Sequence, residues 1–310
     1  MHAKNIPLVM LQRECPLCDH DDVFPVKEER NNFGHTDRKE VQVFENTWVQ
    51  LMQCRQCGFA FCKEIPSDPN FFEARYDIKF NPEFESNNAF KDEAIEHILQ
   101  FVGVTRDNSS GKKLLDVGCF VGHFMSIASK YGLESSGIET NPTVGGYAKN
   151  TLNLDVFIGT VMNYNGTKDN LDFVTMIDVL EHLYRPVEVI EKLHEFIKPG
   201  GQLVIKVPNY HTQAIKQKIF NILGISDLGI FSNFGHINHF SKRSMKMMLD
   251  KIGFTDIEFV SAKFEMFSNN DRWWRMRNLN RRALYFGFRL LDILTGNVTG
   301  PNLLVRARKK

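Results

Sequence analysis

The stretch Lys113-Leu-Leu-Asp-Val-Gly-Cys-Phe-Val-Gly122 decides the fold of this 310-residue chain. A short apolar run leads into Asp116, and a Gly-x-x-x-Gly turn at Gly118 and Gly122 precedes 123–131, a segment of helical apolar spacing. The order is strand, tight glycine turn, helix. Backbone N–H groups and the positive end of a helix meet at such a turn, which suits a ligand with a carboxylate or phosphate. The turn alone does not identify that ligand, because Gly-x-x-x-Gly is common.

Strand and helix patterns alternate after this turn. Apolar spacing predicts strands at 133–139, 155–158, 172–177 and 202–207 and helices at 142–151 and 185–197. Repeated strand–helix–strand units predict a parallel sheet with right-handed crossovers and helices on both faces. We therefore predict an α/β fold, a doubly wound, seven-stranded, mostly parallel sheet of Rossmann-like type. Ligands bind at the carboxyl ends of such strands, so the glycine turn, Glu139 and Asp178 share one crevice.

Composition and charge place the chain among ordinary globular proteins. It is 43% hydrophobic and 24% charged with a net charge of +1, so no global field indicates a nucleic acid or an acidic partner. The N-terminus is too short and polar before Cys15 for a signal peptide, and no window approaches the roughly 18 apolar residues of a spanning helix. We expect a cytoplasmic protein.

Four of the six cysteines form two Cys-x-x-Cys pairs, Cys15 with Cys18 and Cys54 with Cys57. Two such knuckles present four soft thiolates tetrahedrally to zinc, and an ion with four protein ligands is structural. The long gap between the knuckles contains strand-like segments at 41–44 and 47–52, which can form a hairpin. A redox pair and free thiols are the alternatives. Cys62 and Cys119 are read as small apolar residues.

Turn-rich breaks divide the chain into a zinc-ribbon-like domain and a larger domain. We predict the ribbon over 1–66, a helical linker over 67–111 with a helix at 88–102, and the α/β domain over 112–310, with insert or lid elements at 210–240 and 268–296.

Glu139 ends the second strand of the sheet about twenty residues after the glycine turn, where a carboxylate accepts hydrogen bonds from ribose hydroxyls. A dinucleotide-dependent enzyme shares this arrangement. Further motifs are Gly137-Ile-Glu-Thr-Asn-Pro142, Asp178-Val-Leu-Glu-His-Leu183, Lys198-Pro-Gly-Gly201 and His236-Ile-Asn-His-Phe-Ser241. With them the chain resembles the class I S-adenosylmethionine-dependent methyltransferases, and more narrowly a bacterial subfamily with an N-terminal cysteine ribbon.

The resemblance implies S-adenosylmethionine as cofactor and assigns residues to it. The glycine turn holds the methionine part, Glu139 the ribose, the residues after the third strand the adenine, and Asp178 the sulfonium end. The implied contacts are Asp116, Gly118, Cys119, Phe120, Gly122, Glu139, Thr160, Val161, Met162 and Asp178. Phe120 stands where the family usually has a small residue, so its ring covers the cofactor or narrows the site.

Methyl transfer is an in-line displacement, so a hydroxyl nucleophile needs a base to take its proton. The candidates are His182 and His239. The competing reading is structural: His182 anchors a strand-to-helix turn, and His236 and His239 shape a loop. The segment from Asp178 to His182 also resembles a divalent-metal arrangement of methyltransferases that act on vicinal oxygens.

The resemblance implies O-methylation of a sugar or related small metabolite in glycan or secondary-metabolite synthesis, with C- or N-methylation of a sugar as the near alternative. A zinc-ribbon RNA-modifying or nucleic-acid-binding protein is a further alternative. The acidic residues around the first knuckle disfavour it, because they repel phosphate: Glu14, Asp19, Asp21, Asp22, Glu28 and Glu29.

The segment 272–294 alternates arginines with aromatic and aliphatic residues. A basic amphipathic helix with tryptophans can lie in a membrane interface, here peripherally at the inner membrane surface, which suits a lipid-linked sugar acceptor. A lid over the site and a dimer surface are the other readings. The oligomeric state does not follow from the sequence.

Overall fold

The computed structural model describes residues 10–30, 47–67, 89–224, 235–266 and 273–310. The strands of these ranges are β1 (Met10–Gln12), β2 (Val23–Arg30), β3 (Trp48–Cys54), β4 (Ala60–Cys62), β5 (Glu64–Pro66), β6 (Lys113–Val117), β7 (Glu134–Glu139), β8 (Asp155–Ile158), β9 (Leu171–Ile177), β10 (Ile197–Pro208), β11 (Asn238–His239), β12 (Phe254–Ser261) and β13 (Asn302–Lys309). The helices are α1 (Ala89–Phe101), α2 (His123–Lys130), α3 (Pro142–Asn150), α4 (Pro186–Phe196), α5 (Tyr210–Ile222), α6 (Lys242–Ile252) and α7 (Trp274–Thr295).

The large sheet has seven strands in the order β12-β13-β10-β9-β6-β7-β8. Neighbours from β10 to β8 pair in parallel, and β13 runs antiparallel between β10 and β12. The strand order reverses beside β6, the strand that leads into the glycine turn. The prediction of a doubly wound, mostly parallel Rossmann-like sheet is confirmed, and its switch point is where ligands of such sheets bind.

Two apolar clusters cover opposite faces of this sheet. Neighbouring residues of β10 alternate between them, Leu203 and Ile205 in one and Val204 in the other, as side chains of a strand must. Helices α4 and α6 contribute to the first cluster, and α1 and α2 to the second. The first cluster also contains Phe59 and Phe61, which lie in the ribbon. The core of the sheet therefore continues into the ribbon.

The glycine turn has a left-handed backbone at three of its positions: φ is 70° at Gly118, 51° at Phe120 and 78° at Gly122. A Cβ atom at Gly118 would lie 2.5 Å from Cγ2 of Val179, so glycine is required there by both its φ and its neighbour. Phe120 adopts a conformation that costs a side chain about 1 kcal/mol or more. This cost is incurred at the edge of the predicted crevice.

The ribbon forms a four-stranded sheet in the order β11-β4-β3-β2. The partners of β3 are β2 and β4, whereas the predicted hairpin paired 47–52 with 41–44, a segment outside the described residues. Strand β11 comes from the larger domain, within the predicted insert 210–240, yet pairs with β4 through His239 opposite Ala60. The backbone N–H of Cys62 also donates to the carbonyl of Ile237. Ribbon and larger domain are thus joined by shared hydrogen bonds.

Helix α7 connects β12 to β13 along the chain. The other predicted helices lie within a few residues of their expected bounds, since α1, α3 and α4 fall inside 88–102, 142–151 and 185–197. Within the described part of the chain, no helix combines the length and apolar character that crossing a membrane requires.

Candidate functional site

Glu139 is fixed at the end of β7 by two backbone donors. The N–H of Phe120 donates to Oε2 at 2.9 Å and the N–H of Asn141 to Oε1 at 2.8 Å. Burial raises the pKa of Glu139, and these N–H groups oppose the rise. A carboxylate oxygen accepts more than one hydrogen bond, so each can still take a ligand hydroxyl. Glu139 therefore fits the ribose of the predicted cofactor.

Asp116 lies at the end of β6 and is 4% exposed. Its Oδ1 accepts a hydrogen bond of 2.6 Å from Thr175 Oγ1. Burial, with a smaller contribution from the charge of Glu139, raises the pKa of Asp116 to about 7. The hydrogen bond from Thr175 opposes this rise. A carboxylate of this kind favours a cationic partner, because the partner offsets the cost of ionisation. The ammonium of the methionine part is such a group.

Half of the residues predicted to contact the cofactor line one cavity. Its wall includes Asp116, Gly118, Cys119, Phe120 and Asp178. The other predicted contacts lie at the same edge of the sheet without lining that cavity: Gly122 precedes α2, Glu139 bonds to Phe120, Val161 is buried, and Met162 is exposed beside Thr160. Phe120 is 36% exposed, so its ring borders open space. All ten assignments remain predictions of cofactor contact.

The cavity wall also contains an ion pair with a buried lysine, which the sequence analysis missed. Lys206 of β10 is 6% exposed, and its Nζ lies 2.6 Å from Asp178 Oδ2 and 3.8 Å from Glu265 Oε1. Burial is the largest single influence and acts to lower the pKa of Lys206, but the charge and hydrogen bond of Asp178 together with the charges of Glu265 and Glu181 outweigh it, so the net shift is upward. The signal was present, since Lys206 is the one charge in the apolar run 203–207. The Lys206 ammonium therefore pairs with the Asp178 carboxylate from a position within the sheet.

A second polar cluster follows β9. Glu181 is 1% exposed, and neither of its carboxylate oxygens has a hydrogen-bond partner among the described residues. Burial raises the pKa of Glu181 well above its usual range, and the charge of Asp178 adds to the rise. His182 Nδ1 contacts the carbonyl of Gly235, which can only accept, so Nδ1 carries the proton and Nε2 is the basic nitrogen. Nε2 lies 3.9 Å from Glu181 Oε1.

His236 completes this cluster. Its ring centre lies 4.9 Å from that of His182, and one atom each of Glu181, His182 and His236 lie within 4.8 Å of one another. One carboxylate and two imidazoles can hold a divalent cation, and a carbonyl that fixes the tautomer of a ligating histidine is a common supporting contact. The predicted metal arrangement started from Asp178, which here pairs with Lys206 instead.

His239, the other predicted base, does not line the cavity, and neither does His182. It is on β11 in the sheet of the ribbon and is 3% exposed. Burial lowers the pKa of His239 to about 3, so the ring is neutral and enclosed. The side chain of His182 is 16% exposed. The geometry favours His182 over His239 as the group that reaches an acceptor.

The four paired cysteines meet in one cluster of the ribbon. Sγ of Cys15 lies 3.4 Å from Sγ of Cys57, Sγ of Cys18 lies 3.6 Å from that of Cys54, and all four lie within 4.8 Å of one another. Tetrahedral zinc with Zn–S bonds of about 2.3 Å requires sulfur separations of roughly 3.8 Å. The donor set and its spacing therefore fit a zinc ion.

Curated relatives match part of the chain. The chain is 31% identical over 107 residues to a mitochondrial ubiquinone biosynthesis O-methyltransferase of Schizosaccharomyces pombe, covering 32% of this chain and 39% of that protein. It is 26% identical over 156 residues to the Coxiella burnetii enzyme of the same name, covering 46% and 67%. The Vibrio parahaemolyticus enzyme is 24% identical over 191 residues, covering 59% and 80%. The chain thus matches about two fifths of the length of the first of these.

Two solved structures illustrate the structural likeness. A SAM-dependent methyltransferase from Archaeoglobus fulgidus aligns with a TM-score of 0.48 and 19% identity, covering 74% of this chain and 100% of its own. The plantazolicin methyltransferase BpumL in complex with SAH aligns at 0.49 and 14%, covering 79% and 92%. Both scores lie below 0.5, so the assignment rests on sequence.

A family model described as a methyltransferase domain matches residues 88–258, more than half of the chain. The match runs from α1 through the glycine turn, Glu139 and Asp178 and reaches into β12. It therefore includes the switch point of the sheet and both polar clusters around it. The chain belongs to this methyltransferase family and is a class I S-adenosylmethionine-dependent methyltransferase.

Proposed function

We propose that this enzyme methylates a hydroxyl oxygen of a small metabolite, and that a sugar is the acceptor class. The main observation in favour of oxygen as the acceptor atom is the pair Glu181 and His182 beside Asp178. It is a buried carboxylate next to a histidine whose basic nitrogen is set by a backbone carbonyl. A hydroxyl is a weak nucleophile while it keeps its proton and so needs such a base, whereas a neutral amine attacks without one. The O-methyltransferase names of the relatives support the same atom.

Bound S-adenosylmethionine supplies an electrophilic methyl group on a sulfonium. The residues of the chain hold and orient it: Glu139 accepts from ribose hydroxyls, and Asp116 receives the ammonium at the glycine turn. Lys206 holds the Asp178 carboxylate in place through their 2.6 Å contact, at the position assigned to the sulfonium end. Alignment of nucleophile, methyl and sulfur is the main contribution that the protein makes to a displacement of this type.

His182 takes the proton that the acceptor loses. Nε2 would accept the hydroxyl proton when the acceptor oxygen takes the methyl group that bound S-adenosylmethionine would supply. Glu181 Oε1 lies 3.9 Å from Nε2, and the positive charge of the imidazolium favours ionisation of this buried carboxyl, which otherwise has a raised pKa. The proton leaves to water through the exposed part of His182.

A cation held by Glu181, His182 and His236 is the alternative mechanism. It would lower the pKa of the acceptor hydroxyl as a Lewis acid, and His182 would then be a ligand and not a base. Dialysis against EDTA separates the two: activity that survives at full rate supports the base, and activity that returns only with Mg²⁺ or Mn²⁺ supports the cation.

We also propose a structural zinc ion at the four cysteines. The ribbon sheet includes β11, which begins two residues after His236 in the chain. A zinc ion that orders the ribbon therefore also orders the segment that faces His182. Cys54→Ser should lose zinc, measured by atomic absorption, and should lower the melting temperature; Cys62→Ser, outside the cluster, is the control and should retain one zinc ion per chain.

A methyl-transfer screen tests the proposed reaction. The acceptors are nucleotide sugars, lipid-linked sugars, phenolic precursors of the ubiquinone type and RNA. We expect transfer to a sugar hydroxyl, seen as one added methyl group by mass spectrometry. Transfer to RNA alone would support the nucleic-acid alternative and contradict the proposal, and transfer to a phenolic acceptor alone would retain oxygen as the acceptor atom and reject the sugar.

A further inference from the structure

Helix α7 packs on the protein with its polar side. Tyr285 Oη lies 2.8 Å from His97 Nε2, and Asp292 accepts from the backbone and hydroxyl of Thr299 at 2.8 Å each. Asn278 is the one residue of this helix that is fully buried. The inner side of α7 therefore carries mainly hydrogen-bonding groups, with Phe288 beside Phe264 as an aromatic contact, whereas a helix on a globular core normally turns its apolar side inward.

The outer side of α7 carries hydrocarbon. Phe286 is 69% exposed and Ile293 75% exposed, and further exposed residues along the helix are Met276, Leu279, Leu284, Leu290, Leu291 and Leu294. Isolated exposed apolar residues are ordinary, but a continuous apolar face marks an interaction surface. At 22 residues the helix is about 33 Å long. We call this surface the α7 face.

The charges around the α7 face decide what covers it. Arg275 and Arg277 are exposed on the same helix, and its only carboxylate, Asp292, is 9% exposed and bonded on the inner side. A second copy of the chain would bring further arginines and no exposed carboxylate from this helix. A bilayer with anionic lipid supplies both an apolar layer and negative headgroups.

Helix α5 repeats this composition. It exposes Ile215, Ile219 and Ile222 together with lysines and contains no acidic residue. Its first turn is joined to the chain just beyond α7, because Thr212 Oγ1 donates to the carbonyls of Thr299 and Gly300 at 3.0 Å. Two connected helices thus expose aliphatic and basic side chains without exposed acids.

We propose that the α7 face docks this enzyme on an anionic bilayer, with α7 in the plane of the interface. Trp273 at the start of the helix is 56% exposed, and tryptophan favours that boundary. Arg281 of α7 donates to the backbone carbonyl of Glu265, a residue of the cavity wall. Docking therefore sets the edge of the cavity close to the lipid. The docking itself does not depend on which acceptor is methylated.

Vesicle co-sedimentation tests the proposal with the full-length protein, on vesicles of phosphatidylcholine with and without phosphatidylglycerol. The protein should bind the anionic vesicles at least about tenfold better, and added salt should weaken binding. Phe286→Ser/Ile293→Ser should reduce binding at least about tenfold, since each exposed side chain enters the apolar layer. Leu11→Ser/Leu152→Ser removes two exposed apolar residues elsewhere and should bind as the wild type does.

Light scattering and melting curves complete the test. The proposal requires that Phe286→Ser/Ile293→Ser keep the wild-type mass and melting temperature, which shows that the lost binding is not a folding defect. Arg275→Gln/Arg277→Gln should lose the preference for anionic vesicles. Absence of wild-type binding, unchanged binding of Phe286→Ser/Ile293→Ser, or a wild-type dimer that this variant turns into a monomer would each overturn the proposal, the last in favour of a second copy.

Discussion

The cavity beside the glycine turn and the α7 face depart from the usual distribution of polar and apolar groups in opposite directions. The cavity region buries charge: Asp116, Glu181 and Lys206 are each less than 10% exposed. The α7 face exposes hydrocarbon, with Phe286 and Ile293 more than two thirds exposed. Buried ionisable groups and exposed apolar patches are costly in an isolated monomer. Lys206 already has Asp178 as its partner, whereas the cavity wall at Asp116 can still receive a cationic group. The cavity is suited to a charged cofactor, and the α7 face to lipid.

His182→Asn should have the largest effect, a loss of turnover, because it removes the basic nitrogen and keeps a polar side chain of similar shape. We expect turnover to fall by about 10² to 10⁴, the usual contribution of a general base. Binding of S-adenosylhomocysteine should not change. Initial rates and calorimetry measure the two quantities. His239→Asn is the matched variant, and an equal loss of turnover with intact cofactor binding there would transfer the role to His239.

The second largest effect is expected from Gly118→Ala, which should weaken cofactor binding. The new Cβ would have a left-handed φ of 70° and would lie 2.5 Å from Val179. The strained conformation alone costs about 1–2 kcal/mol, and the contact displaces the turn further. Gly111→Ala is the control, since its φ is 74° with open space around it. We expect a loss of S-adenosylhomocysteine affinity of at least about tenfold in Gly118→Ala alone. Equal affinity in both variants would mean that the turn does not hold the cofactor.

The raised pKa of Asp116 predicts opposite pH responses of stability and of binding. The unfolded carboxyl ionises near pH 4 and the folded one near pH 7, so the folded state holds the proton more tightly. The contribution of Asp116 to stability is therefore full below about pH 4 and is lost as the pH rises through about 7. Affinity for S-adenosylhomocysteine should instead rise from pH 6 to 8, because the ionised carboxylate binds the ammonium. Both trends should flatten in Asp116→Asn, as followed by urea unfolding and calorimetry.

The smallest effect is expected on the free energy of unfolding when a residue of the α7 face is replaced. Phe286→Ser should change the free energy of unfolding by no more than about 0.5 kcal/mol, because the ring is exposed in the isolated protein. Leu193→Ala in the core of the sheet should cost about 2–5 kcal/mol. Urea unfolding compares them. A loss above about 2 kcal/mol in Phe286→Ser would show that the α7 face is part of the core and would remove the contrast with the cavity.

The sequence predicted the features that depend on neighbouring residues and on strand order. The glycine turn follows β6 directly, and the carboxyl ends of parallel strands share one edge, so Asp116, Glu139 and Asp178 could be brought together without coordinates. The two cysteine knuckles were likewise visible as local spacings. Their meeting in one cluster agrees with the expected ligand set.

Features that depend on distant pairing were not predictable. The partner of Lys206 lies 28 positions away, just beyond the end of another strand, and only the charge within an apolar run indicated that a partner exists. The segment with His239 looked like a loop of the larger domain, whereas β11 pairs with β4 of the ribbon. The inward polar side of α7 was also hidden, because amphipathic spacing shows that a helix has two faces but not which one packs on the protein.

Transfer of a labelled methyl group tests the central claim most directly. The enzyme is given S-adenosylmethionine with a ¹³C-methyl group and a mixed panel of sugar acceptors, and the product is examined by NMR. We predict a methyl signal attached to oxygen, which disappears with His182→Asn and persists with Phe286→Ser/Ile293→Ser on soluble acceptors. A label attached to carbon or nitrogen, or on RNA, would contradict the account of the cavity as a site for hydroxyl methylation.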